Sequence, residues 1–145
     1  MFFKRCLSAS AACGLAALSA TAEPCSATAF SPAAGELYLT AETALLHEDD
    51  AARALELTDK LWASNLNCYE RGGVRKLRAA TLVELGQHER AADLLVPLVS
   101  DLDLPASERA RQAYNIGQLY KAAGNEEAGE PYLQMSEDLK TPTSE

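Results

Sequence analysis

Ala113-Tyr114-Asn115-Ile116-Gly117-Gln118-Leu119-Tyr120-Lys121-Ala122-Ala123-Gly124 is the stretch that decides the fold. An apolar residue, a Gly, a Tyr three positions on and a Gly four beyond that follow helical spacing, and the helix stops at Gly124. It restarts at once in the acidic Asn125-Glu126-Glu127-Ala128-Gly129. Upstream, Leu77-Arg78-Ala79-Ala80-Thr81-Leu82-Val83-Glu84-Leu85-Gly86 stops in the same way and resumes through Gln87-His88-Glu89-Arg90-Ala91-Ala92. Gly86 and Gly124 are 38 positions apart, a period that marks stacked helical hairpins. Such a chain is built to hold a partner rather than to react with it.

Working outward, Leu37, Thr40/Ala41 and Ala44/Leu45 set a first helix from Glu36 to about Leu46. Asp49 or Asp50 caps a second, carried by Ala51, Ala54/Leu55, Thr58 and Leu61/Trp62 and ended by Asn65-Leu66-Asn67. A third runs from about Tyr69 or Gly73 to Leu85, and its partner starts near Glu89, with Pro97 expected to kink or shorten it. The last hairpin opens at Ala106-Ser107-Glu108 with Ser107 as N-cap, turns at Gly124-Asn125 and ends near Leu139. Pro131 places the start of that final helix near Glu130. Sustained period-two alternation is missing and β-branched residues are scarce, so the class is all-α. Each hairpin alone exposes an apolar stripe, and stacking about three of them over residues 35–139 makes a short solenoid.

Residues 1–22 read as a secretory signal: Lys4 and Arg5, an Ala/Leu-rich stretch from Cys6 to Leu18, then Ala20-Thr21-Ala22 as the cleavage site. An irregular leader follows at 23–34, and 140–145 is a polar, disordered tail. Cleavage leaves 123 of the 145 residues, and since all 21 acidic residues stay while Lys4 and Arg5 depart, the net charge moves from −8 to −10. That balance argues against nucleic acid and anionic lipid as partners. No later segment is long and apolar enough to insert in a membrane. Cys6 and Cys13 leave with the signal. Cys25 and Cys68 remain, an even pair for an oxidising compartment, and a disulfide between them would pin the leader to a helix start.

Catalytic patterns are missing. His47 and His88 lie in hairpin turns without neighbouring ligands, so no metal site is expected. Glu48-Asp49-Asp50 and Glu126-Glu127 sit at helix starts, where they offset the macrodipole. Neither a nucleophile elbow nor a phosphate-cradling loop occurs, so neither enzyme activity nor a cofactor is expected.

The pattern resembles the tetratricopeptide repeat family. Ile116-Gly117, Tyr120, Gly124 and Gly129 match its third unit best, and Ala79, Leu82, Gly86 and Ala91 match the second. The first is degenerate, with Asp49 at the turn and Ala54 as the small packing residue. The family's Trp is absent, its slot holding Ala113 and Arg75, and Arg78 fills an apolar slot, so either the register of the second unit shifts locally or these arginines extend past their stems to solvent. The resemblance implies a right-handed solenoid whose first helices line a concave groove. Leu39 and Thr43, then Lys76, Ala80 and Val83, then Arg111, Tyr114, Gln118 and Lys121 would face it. Such a locally basic groove suits an acidic peptide or a partner helix. The family's clamp for a C-terminal carboxylate is not expected, because Leu39 and Thr43 stand in its slots. The expected role is a periplasmic protein–protein interaction module, an adaptor or accessory subunit of an envelope assembly. The alternative is a helical accessory subunit or inhibitor of a secreted enzyme.

Overall fold

The computed structural model describes residues 25–141; the expected signal, with Cys6 and Cys13, and residues 142–145 lie outside them. The described chain is all-helical: α1 (Pro32–Leu46), α2 (Ala51–Ala63), α3 (Cys68–Glu84), α4 (His88–Leu95), α5 (Ala106–Ala122) and α6 (Glu126–Lys140). After α4 the chain tightens into a single 3-10 stretch, Val96–Val99, with Pro97 inside it. Pro97 has no amide hydrogen for a further α-turn, so α4 stops where the proline requires.

The three short turns share one geometry. Asp49, Gly86 and Gly124 all have positive φ, at 54°, 71° and 81°. The residue after each one caps the next helix: Asp50, Gln87 and Asn125. Its amide also donates back to the preceding helix, Gln87 to Leu82 and Asn125 to Tyr120 at 2.8 Å, Asp50 to Ala44 at 2.9 Å. These bonds satisfy carbonyls that a helix end otherwise leaves open. The first turn reaches back one residue further than the other two.

Small residues face each other within each pair: Ala79 and Ala91 are buried on α3 and α4, Ala41 and Ala54 on α1 and α2. In the last pair the contact is backbone to backbone. A Cβ on Gly129 would lie 2.7 Å from the Gly117 carbonyl oxygen, and one on Gly117 3.0 Å from that of Gly129. Small side chains here let the helix axes approach. Helices pack in chain order, with α1 also reaching α3. The largest apolar cluster joins α3, α4, the 3-10 stretch and α5 through Leu82, Leu95, Leu98, Ile116 and Tyr120. Tyr120 is buried but donates its hydroxyl to Asp93 at 2.6 Å, so its polar tip is satisfied.

Three boundaries differ from expectation. The first helix begins at Pro32, inside the expected leader, because proline suits the first helical position and Gly35 donates to the Ser31 carbonyl at 2.8 Å. Ser107 lies within α5 and is not its cap; Pro105 holds that position and its carbonyl accepts from Arg109 at 3.0 Å. The final helix starts at Glu126, so Pro131 is internal. Glu127 and Pro131 are both exposed, and water can serve the carbonyl that loses its donor.

The leader is clasped to the start of α3. Cys25 and Cys68 form the disulfide, with Cα atoms 5.6 Å apart. Glu70 is only 2% exposed, and its carboxylate accepts from the amides of Ser31 at 2.7 Å and Asn67 at 2.8 Å. Asn67 in return accepts from the Glu70 amide at 2.8 Å, completing a capping box. Phe30 packs between Tyr38 and Tyr69, with ring centroids 4.7 and 5.7 Å away. Gly73 leaves room for that ring, since a Cβ there would meet Phe30 at 2.8 Å.

Candidate functional site

Two helices whose backbones stay apart flank a hollow in the described chain. α3 packs on α4 and α4 on α5, while α3 and α5 stay apart, so α4 forms the base of a trough between them. The trough has a volume of about 730 Å³. Ala79, Ala80, Val83, Leu95, Leu119 and Ala122 supply its apolar lining; Lys76, His88, Arg111, Gln112, Asn115 and Gln118 supply the polar part. An apolar floor with a few convergent polar groups is the usual composition of a binding cleft.

Of the nine expected groove residues, five line this trough: Lys76, Ala80, Val83, Arg111 and Gln118. Leu39 and Thr43 line a separate hollow of about 300 Å³ with Glu36, Thr40 and Glu48. Tyr114 faces a third, of about 430 Å³, beside Leu139 and Lys140, and the Lys140 ammonium lies 5.7 Å from its ring centroid. Arg111 borders both this hollow and the trough. Tyr114 therefore lines a different hollow from Lys76, Ala80, Val83 and Gln118. Lys121 is exposed and lines none of the three.

The expected free basic charge is reduced in the trough, where one carboxylate is shared by two cations. Glu108, half-buried on α5, accepts from the Lys76 ammonium at 3.1 Å, from the Arg111 guanidinium and from Gln112 Nε2 at 2.9 Å. Burial alone would raise its carboxyl pKa, but the bonds from Gln112 and Lys76 and the charges of Lys76 and Arg111 hold it below the ordinary value. The carboxylate thus stays ionised and binds both cations. Counting cations along helix faces overlooked it, although Glu108 three residues before Arg111 is a spacing at which helical side chains meet.

Two further residues stand differently from the sequence reading. His88 is the first residue of α4 and half-buried in the trough wall, with Nδ1 buried and lacking a hydrogen-bond partner, rather than an exposed turn residue. Arg75 and Arg78 do not simply reach solvent: their guanidinium carbons lie 5.5 and 5.8 Å from the centre of the Trp62 ring. Among the described residues no three His, Cys, Asp or Glu side chains gather as a metal site, and no helix is long and apolar enough to cross a membrane. The chain matches no protein-family model, no curated protein and no solved structure.

Proposed function

We propose that this chain is an exported helical-repeat adaptor of tetratricopeptide type, working in the periplasm as an accessory component of an envelope assembly. It grips an extended peptide or a single helix of its partner in the trough between α3 and α5. The observation that carries the reading is that trough, apolar at its floor and edged by amides. Asn115 and Gln118 can donate to and accept from a peptide backbone, while Ala80, Val83 and Leu119 receive apolar side chains. The repeated turn at Asp49, Gly86 and Gly124 supports the repeat assignment, and the Cys25–Cys68 disulfide supports an oxidising compartment.

Because Glu108 already holds Lys76 and Arg111, the trough selects apolar and backbone groups more than acidic ones. Site-specific photo-crosslinking in the native host tests this. A crosslinker at Ala80 or Gln118 should trap one defined partner, and one at the exposed Glu56 on α2 should not. Val83→Glu should abolish the Ala80 adduct without lowering helicity. Equal trapping from Glu56, or survival of the adduct in the Val83 variant, would remove the trough from consideration.

A further inference from the structure

Trp62, near the end of α2, carries three guanidinium groups from one face of α3. The guanidinium carbons of Arg71, Arg75 and Arg78 lie 5.4, 5.5 and 5.8 Å from the ring centre. Cations at this distance are attracted to the ring's electron-rich face, which holds the three side chains in a stack. The attraction does not neutralise their charge. Among the described residues only Arg78 has an ion-pair partner, Asp59 at 2.6 Å, while Arg71 and Arg75 have none within 4.0 Å. The Nε atoms of Arg75 and Arg78 are buried without a hydrogen-bond acceptor. Burial, and then the charge of Arg71, push the Arg75 guanidinium below its ordinary pKa, and the charge of Asp101 offsets them only in part.

This is an unusual concentration of positive charge on a chain of net charge −8. Lys76 and Arg111 in the trough share Glu108, whereas Arg71 and Arg75 have no ion pair among the described residues. We propose that Arg71 and Arg75, braced on Trp62, form a second binding site that takes a carboxylate from an acidic segment of a protein partner. Planar guanidinium forks match carboxylates edge to edge, and Asp59 on Arg78 shows the patch already receiving one. The acidic body opposes long, densely charged polymers and anionic membranes, but a short acidic segment places few charges against it. The site is independent of the trough between α3 and α5.

Trp62 is the single tryptophan of the chain, so its fluorescence reports on this site alone. The disulfide-bonded protein, titrated at low salt with a capped hexaglutamate peptide, should show a saturable change in emission, with the same midpoint by calorimetry. Arg71→Gln with Arg75→Gln should weaken binding about tenfold or more, whereas Arg90→Gln on α4 should leave it unchanged. Asp59→Asn releases Arg78 and should tighten binding about threefold or more. Because Asp59 is exposed, that variant tests the site even if the double arginine variant does not fold. Unchanged affinity in either the double variant or the Asp59 variant would overturn the proposal. So would a response to inorganic phosphate or anionic vesicles with none to the peptide. Loss of crosslinking at Ala80 would bear on the trough and leave this site untouched.

Discussion

Asp49 holds in the first hairpin the left-handed backbone that Gly86 holds in the second, at φ 54° against 71°. A side chain in that region clashes with its own carbonyl, and only Asn, Asp and Gly visit it readily. Nothing lies within 4 Å of a Cβ built on Gly86 or Gly124, so substitution there tests the backbone alone. Gly86→Ala and Gly124→Ala should each cost about 1–2 kcal/mol, while Asp49→Gly should gain about 0.5–1 kcal/mol. Urea melts check all three, and a loss of stability in Asp49→Gly would contradict the equivalence of the turns.

The contact between Gly117 and Gly129 predicts an asymmetric pair of mutants. A Cβ on Gly117 meets the Leu133 side chain at 2.6 Å, which can move in part, but one on Gly129 meets the Gly117 carbonyl at 2.7 Å, which cannot. Gly129→Ala should therefore destabilise more than Gly117→Ala, and Gly117→Leu should cost about 1–3 kcal/mol by overpacking. Thermal denaturation orders them. An unchanged melting temperature in Gly117→Leu would rule out the close approach of α5 and α6.

For the disulfide, intact mass of the exported protein should show Cys25 joined to Cys68 and a chain beginning at Glu23. The bond closes a loop of 43 positions, for which the chain-entropy model assigns about 4 kcal/mol. Cys25→Ala with Cys68→Ala should lose much of that in denaturant melts and should expose Phe30 to proteolysis beside it. Free thiols in a non-reduced sample would contradict the pairing.

Glu70 makes stability fall on the acid side. Hydrogen bonding from Ser31 first, then from the Asn67 amide, holds its carboxyl below the ordinary range. The ionised form is thus favoured in the folded state, and its contribution is fully present above the unfolded carboxyl value of about 4.3. That contribution is lost as pH falls through the lower folded value. Glu70→Gln cannot titrate and leaves one amide facing another donor. Its melting temperature should lie below that of the parent at pH 7, and the gap should narrow below about pH 4. A gap that stays constant with pH would mean that the carboxylate charge is not what clasps the leader.

Helix order and turns were legible because local chemistry dictates them. Gly86 and Gly124 announce their own backbone, and Pro97 ends α4 by lacking a hydrogen. Ser107 was misread because a capping residue type counts only where the preceding chain is extended, and Pro105 imposes that two residues earlier. Pro131 was misread as a boundary because its tolerance depends on water at Glu127. Of the site, the trough's α3 side and Arg111 and Gln118 were readable from repeat register. Tyr114 was not, since α6 ends with Lys140 beside it. The Lys76–Glu108 bond and the Trp62 stack escaped because each joins two helices across space, whereas the Glu108–Arg111 pair was open to reading from its spacing along α5.

The clasp at the start of α3 has a consequence for synthesis. Helices that pack on their chain neighbours can form as they emerge, but the leader has no seat until residues 68–73 exist. Phe30, the Ser31 amide and the Cys25 thiol must wait through all of α1 and α2 for Tyr69, Glu70 and Cys68. The first residues of the described chain are thus fastened after some forty later ones have been made. Under oxidising conditions a fragment ending before Cys68 would leave Cys25 open to alkylating reagent, and one extended past α3 would close it, so this thiol can time the chain's maturation.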